Sequence, residues 1–185
     1  MPDSIIIRPP LSNDTVNRLS AGDRILISGI IFTARDAAHK RLVDLIRENR
    51  PLPVDLTGQI IYYVGPTPPL PGMPIGAAGP TTSYRMDPYA PLLIEKGLKG
   101  MIGKGIRGDA VIEAMKRHRA VYFAATGGAG ALISKTIKRA EVVAYADLGT
   151  EAIRRLEVEE FPAIVVGDVH GNDLYREGRM KYRRG

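Results

Sequence analysis

The sequence predicts an α/β fold in which a mostly parallel sheet is flanked by helices. Three observations carry that prediction. The second half of the chain alternates short apolar runs with helical stretches, the pattern of parallel strands joined by crossover helices. The first half holds a strand-length apolar run, Arg24 to Phe32, that leads straight into an apolar stripe at helical spacing. The 185 residues are 44% hydrophobic and 25% charged, enough for the core of one domain, and no repeat or linker divides them.

Taken in order, Ser4 to Pro10 reads as an entering strand and Ser12 to Ser20 as a short polar helix or turn. After the strand Arg24–Phe32, Thr33 is the expected N-cap, with Asp36 three residues on as a variant capping box. Ala37, Ala38, Leu42, Leu45 and Ile46 then form one apolar face, and Pro51 and Pro53 stop the helix. Gln59 to Val64 reads as a buried strand, followed by a Pro-rich loop from Gly65 to Gly72. Asp87-Pro88 predicts the N-cap and first position of a helix ending at Gly97. Strands are expected at Gly100–Ile102, Ala120–Ala125 and Val142–Tyr145, with helices at Asp109–His118 and Ala129–Lys138. Ala163–Val166 and Leu174–Arg176 are expected to pair across a Gly171-Asn172 turn.

Composition excludes several classes. Without cysteine the chain has no disulfide, no Cys nucleophile and no Cys-ligated metal of its own. His39, His118 and His170 lie far apart in sequence, so no metal ligands are assigned. The net charge is +6, much of it from Arg176, Arg179, Lys181, Arg183 and Arg184. No nucleic-acid motif or stacking aromatics accompany them, and residues 177–185 read as a flexible, solvated basic tail. No apolar run nears the roughly 20 residues of a membrane span, and Met1-Pro2-Asp3-Ser4 has no leader character. The expected location is the cytoplasm, with neither nucleic acid nor membrane as a partner.

Three segments concentrate chemistry. Gly79-Pro80-Thr81-Thr82-Ser83-Tyr84-Arg85-Met86-Asp87 puts two adjacent hydroxyls and a guanidinium on a Gly-Pro turn. Thr33-Ala34-Arg35-Asp36-Ala37-Ala38-His39-Lys40 places Arg35 in a helical first turn, where a cation is disfavoured unless an anion compensates. The compensating anion is either a ligand or a neighbouring acid such as Asp36. Met101-Ile102-Gly103-Lys104-Gly105 adds a third cation. Together they suggest a site for a small polyanion. His39, one turn beyond Arg35, is open to a structural or a supporting role. Gly127-Gly128-Ala129-Gly130 fails the dinucleotide fingerprint and reads as a close backbone approach. Gly103-Lys104-Gly105 is no phosphate-binding loop of the Walker type, since no Ser or Thr follows the lysine. Arg107-Gly108-Asp109 reads as a turn feeding a helix.

These segments, with Tyr62-Tyr63-Val64-Gly65-Pro66, Gly127-Gly128-Ala129 and Leu148-Gly149 with Glu151-Ala152, carry a resemblance. From about Leu19 to Tyr175 the chain resembles the β subunit of class I fumarate hydratase and of L-tartrate dehydratase, and the C-terminal domain of single-chain class I fumarases. The resemblance implies a swivelling β/β/α fold and reversible hydration of fumarate to L-malate, or the same architecture serving L-tartrate or a methylated fumarate. It implies a 4Fe-4S cluster held by cysteines of a partner α subunit, in an α2β2 assembly. Within it Thr81 matches the catalytic base, assisted by an Asp of the α subunit, and Arg35, Thr82, Arg85 and Lys104 match the residues that bind the dicarboxylate. Asp36 and His39 stand behind them. A non-catalytic anion-binding module is the alternative of another class.

The chemistry agrees with that implication. Removing a proton beside a carboxylate builds negative charge that aimed Arg and Lys donors stabilise. A Thr hydroxyl is a poor base unless neighbouring cations, here Arg85 and Lys104, lower its pKa.

Overall fold

Strand β3 (Ile60–Tyr62) shows how this sequence builds two cores from one sheet. Side chains alternate across a strand, so Ile60 and Tyr62 enter one apolar cluster and Ile61 the other. The structure is a computed structural model and describes residues 4–126 and 128–183. The other strands are β1 (Ile5–Ile7), β2 (Arg24–Thr33), β4 (Gly100–Gly103), β5 (Val121–Ala124), β6 (Ile137–Ala144) and β7 (Ile153–Gly167). The helices are α1 (Asn13–Asn17), α2 (Asp36–Arg47), α3 (Ala90–Glu95), α4 (Asp109–His118), α5 (Gly130–Ser134) and α6 (Leu174–Tyr182).

The strand order is β1-β2-β3-β4-β5-β7-β6, and β2 also pairs with β7. The pairings β1–β2, β2–β3, β3–β4 and β4–β5 are parallel. Those of β7 with β2, β5 and β6 are antiparallel. The sheet is therefore mixed and closes on itself like a barrel, which corrects the expectation of a mostly parallel sheet. Paired irregularities make the closure possible. The β2–β7 register slips between Ile27 and Gly29, where Gly29 has φ +126°. Opposite, Glu160 has φ 50° and its N–H donates to Ser28 Oγ at 3.0 Å. Such bulges bend both strands. Beyond the bend each strand changes neighbour, β2 from β1 to β3 and β7 from β6 to β5.

Ile25, Ile27, Tyr62, Ile102, Phe123 and Phe161 fill the inside of the curled sheet. Helices α2, α3 and α4 cover its outer face, where Leu42, Leu93 and Val111 meet Ile61, Met101 and Tyr122. The crossovers β2-α2-β3, β3-α3-β4 and β4-α4-β5 bring the carboxyl ends of β2, β3 and β4 to one edge. Ligand sites of α/β sheets form at such edges.

Several local expectations need correction. Thr33 does not cap α2. It ends β2, where its buried hydroxyl donates to Ala152 O at 3.2 Å and accepts from Arg154 N at 3.0 Å. Arg35 takes the N-cap position without a side-chain bond. Asp87 does not start α3, because Arg107 and Gly108 N draw its carboxylate away; the helix begins at Ala90. Helix α5 ends at Ser134, and β6 begins where a helix was expected to run to Lys138. The first ten residues of β7 were missed: their acidic and basic residues obscure a strand whose pairing on both sides is tertiary. Leu174–Arg176 is the start of α6, not a strand, since the Asp173 carboxylate accepts from Tyr175 N and Arg176 N. The helix takes in most of the stretch expected as a basic tail, and Arg176 pairs with Asp109 at 2.6 Å and Asp173 at 3.3 Å.

Candidate active site

The turn Thr81–Arg85 is stitched across the ends of β3 and β4. Thr81 N donates to Tyr63 O at 2.7 Å, Lys104 N to Thr81 O at 3.3 Å and Ser83 N to Lys104 O at 2.8 Å. Backbone bonds on both sides fix where the two hydroxyls begin. Thr82 precedes the 3₁₀ turn Ser83–Met86 and gives no side-chain cap to it, so its hydroxyl is not spent on local structure. Thr81, Thr82 and Lys104 are half-buried.

Small residues let this turn sit close to the sheet. A Cβ on Gly103 would lie 2.0 Å from Ser83 Oγ, and one on Gly65 would lie 2.3 Å from Arg35 Nη1. Ser83 is buried, with its Oγ 2.8 Å from the Tyr122 hydroxyl, while Tyr84 is exposed. Of that pair, only Tyr84 faces outward at the rim. Behind the turn, Ala78 N donates to Gly130 O at 3.1 Å, and a Cβ on Gly130 would lie 2.9 Å from Gly79 N. That is the close approach expected of the glycine-rich segment. Gly127, part of that motif, lies outside the described residues.

Arg35 and Arg85 meet through Asp36. Arg85 Nε donates to Asp36 Oδ1 at 2.9 Å. Arg35 Nε lies 4.0 Å from Asp36 Oδ2, and both atoms are buried without a hydrogen-bond partner among the described residues. The anion expected at the N-terminus of α2 is supplied by the chain itself. Glu151 accepts from Ala37 N at 2.9 Å and lies 3.8 Å from Arg35 Nη2. No local sequence signal gives Glu151 a role, although it stands in one of the matching motifs; its place in the fold depends on the return of β7 along β2.

His39 is fully buried, and both its N–H at 2.8 Å and its Nδ1 at 2.9 Å meet Arg35 O. A carbonyl only accepts, so Nδ1 carries the proton. Burial pushes its pKa down to about 4, with the nearby Arg107 cation adding to the effect. A neutral His39 thus holds the backbone of Arg35 from below, which gives the open reading of this residue a physical form. Its ring packs edge-on to Tyr63 at 5.2 Å.

Among the described residues, no group of three His, Cys, Asp or Glu side chains is placed to hold a metal ion, and the sequence has no cysteine. The donor set of this chain does not fit a metal cluster. What one sheet edge does gather is three cations and two hydroxyls, the donor types that an anion would use.

A mixed, curled sheet with a polar, cationic turn at the ends of three parallel strands defines a class that comparison with known proteins narrows. The family described as Fumarase C-terminus matches residues 3–178. A candidate class I fumarate hydratase of Geobacillus stearothermophilus is 39% identical over 178 residues, which are 94% of this chain and 34% of that protein. The anaerobic class I fumarate hydratase of Escherichia coli (strain K12) is 40% identical over 156 residues, 83% of this chain and 28% of that enzyme. A candidate L(+)-tartrate dehydratase subunit beta of Methanocaldococcus jannaschii is 36% identical over 177 residues, covering 92% of this chain and 91% of that protein. The chain belongs to the fumarase C-terminus family, and it spans about a third or less of the class I fumarate hydratases it matches. No helix among the described residues is long and apolar enough to cross a membrane.

Proposed function

We propose that this chain is the β subunit of an iron–sulfur-dependent hydro-lyase of the class I fumarate hydratase type, interconverting fumarate and L-malate. The observation that carries the reading is the convergence of Arg35, Arg85 and Lys104 with the Thr81-Thr82 pair on one sheet edge. In this reading Arg35, Arg85 and Lys104 bind the two carboxylates, and Thr82 contacts the substrate. Thr81 Oγ, as its alkoxide, takes the proton from C3 of malate, and the C2 hydroxyl leaves as hydroxide, a departure that the cluster would assist as a Lewis acid when bound. The charge that then builds on the adjacent carboxylate is met by the same cations, which favours the transition state over the ground state. Asp36 orients Arg85, and His39 holds the Arg35 backbone.

The chain has no ligands for the 4Fe-4S cluster, so the proposal assigns them to a cysteine-bearing α subunit in an α2β2 assembly, in the cytoplasm. The half-exposed shelf is then completed by that partner. A tartrate substrate is the second reading. It is favoured by the 91% coverage of the Methanocaldococcus jannaschii relative, a separate β subunit like the one proposed here. Assays of fumarate and L-tartrate on the assembled enzyme separate the two. Full-affinity dicarboxylate binding by the chain alone, with no turnover after assembly, would point to a non-catalytic anion-binding module.

The test of the reading is Thr81→Val beside Thr82→Val in the assembled enzyme. Thr81→Val should lower kcat by about 100-fold or more with little change in KM, the scale of general base catalysis. Exchange of the malate C3 proton with solvent should fall in step. Thr82→Val should act mainly on KM. Near-normal turnover and exchange in Thr81→Val would assign the base elsewhere.

A further inference from the structure

Beneath the Thr81–Arg85 turn lies a cation whose sequence context showed only a turn. Arg107 is 2% exposed. Its Nε donates to Asp87 Oδ1 at 2.7 Å and its Nη1 to Met101 Sδ at 3.5 Å. Its Nη2 is buried without a hydrogen-bond partner among the described residues. The guanidinium carbon lies 5.4 Å from the centre of the Tyr63 ring and 5.0 Å from that of Tyr122. Burying a cation is costly, and an apolar side chain of similar volume is often at least as stabilising. One carboxylate and two ring faces offset part of that cost.

What surrounds Arg107 leads to the candidate site. Asp87 ends the 3₁₀ turn that carries Arg85, and it also accepts from Gly108 N at 2.7 Å. The Tyr122 hydroxyl meets Ser83 Oγ at 2.8 Å and donates to Gly105 O at 2.9 Å. Those two residues directly follow Thr82 and Lys104. Tyr63 offers its carbonyl to Thr81 N. Each of these three residues in contact with the cation thus fixes a different part of the turn, Asp87 and Tyr122 by side chain and Tyr63 by its backbone carbonyl.

We infer that Arg107 is a positioning residue: clamped between Tyr63 and Tyr122 and tied to Asp87, it holds the Thr81–Arg85 turn and Lys104 in the arrangement that receives a dicarboxylate. The inference rests on the hydro-lyase reading above. It requires the planar fork and the ring contacts, which a lysine cannot reproduce.

Two variants test it, each measured in two ways. Arg107→Lys keeps the charge and loses the fork; Tyr122→Phe keeps the ring and loses only the hydroxyl. In the assembled enzyme kcat should fall about tenfold or more for Arg107→Lys and about threefold or more for Tyr122→Phe, and KM should rise as well, since the turn carries Arg85 and Lys104. In the full chain, hydrogen exchange at the Thr81 and Ser83 amides should speed about tenfold in both variants, while Ile61 and Ile102 keep their protection. Unchanged kcat and unchanged exchange in Tyr122→Phe would overturn the inference. So would exchange accelerated uniformly across the sheet in both variants, which marks a purely structural cation. If assembled wild-type protein turns over no hydroxy diacid, the functional reading fails, and the exchange experiment alone decides whether Arg107 positions the turn.

Discussion

Two ion-paired clusters flank the Thr81–Arg85 turn, built from the same chemistry at different depths. On the outer side Asp36 holds Arg85 at 2.9 Å, and the two side chains keep 29% and 42% of their accessible surface. On the inner side Asp87 holds Arg107 at 2.7 Å, and the Arg107 side chain keeps 1%. Depth decides what each pair is able to do. The outer guanidiniums sit beside solvent, where an internal carboxylate can give way to another partner. The inner cation has no such exchange open to it, and removing its partner strands a charge. The outer pair is suited to binding and the inner one to fixing geometry.

The largest effect that would test this contrast is on stability. Asp87→Ala leaves Arg107 sealed without its carboxylate and leaves Gly108 N unpaired. The expected loss is about 3–5 kcal/mol, the range for breaking a buried pair, measured by urea unfolding of the full chain. A loss below about 1 kcal/mol would place the inner pair in the same class as the outer one.

His39 extends the contrast to pH, since it sits between the two clusters with a pKa lowered to about 4 by burial. In the unfolded chain it titrates near 6.5. Between those values the unfolded chain binds the extra proton, so stability is complete above pH 6.5 and falls as pH drops toward 4. The full effect is roughly 3 kcal/mol. Burial also pushes the Asp168 carboxyl up, but hydrogen bonds from Asn172, Ala21 and His170 hold it below the usual carboxylate range. Its contribution is lost only at still lower pH. Denaturation midpoints from pH 7.5 to 4.5 should show the slope in the wild type and lose most of it in His39→Asn. An equal slope in both would assign it to other groups.

Two glycines separate packing from function. Gly103→Ala forces a Cβ to 2.0 Å from Ser83 Oγ and 3.0 Å from Tyr63 Cδ2, on the inner side of the turn. Overpacking there should destabilise the chain by about 1–3 kcal/mol. Gly65→Ala meets the far end of a flexible side chain, Arg35 Nη1 at 2.3 Å, so it should leave stability within about 0.5 kcal/mol. It should still raise KM by displacing Arg35. Thermal melts and steady-state assays of the two variants check the pair, and equal stability losses would erase the distinction.

The same difference in depth explains what the sequence made legible. Arg35, Thr81, Thr82, Arg85 and Lys104 lie in short local motifs at strand ends, where residue type alone announces polar chemistry. Helices α2 and α4 were readable because their apolar stripes repeat at 3.6 residues. Arg107 was not readable, since a lone Arg-Gly-Asp is a turn wherever its burial is unknown. Glu151 joins Arg35 from 116 residues away, through a strand pairing that no local pattern encodes. The first ten residues of β7 went unread for the same reason: Arg154, Arg155, Glu157, Glu159 and Glu160 look like a solvated segment until β2 and β6 are set beside them. The mixed sheet follows from β7, so the expected parallel sheet failed at that one element.

The smallest effect completes the contrast. Asp36→Asn is isosteric and keeps an oxygen that can accept from Arg85 Nε, but it removes the charge shared by Arg85 and Arg35. With both partners half-exposed, water and salt screen the pair, and exposed pairs contribute about 0–1 kcal/mol. Unfolding in urea should therefore shift by no more than about 1 kcal/mol, and the shift should shrink further in high salt. Arg85 and Arg35 would lose the carboxylate that orients them, so KM should respond more than stability does. A stability loss above about 2 kcal/mol, insensitive to salt, would mean that the outer carboxylate is held as tightly as Asp87, and depth would no longer distinguish the two clusters.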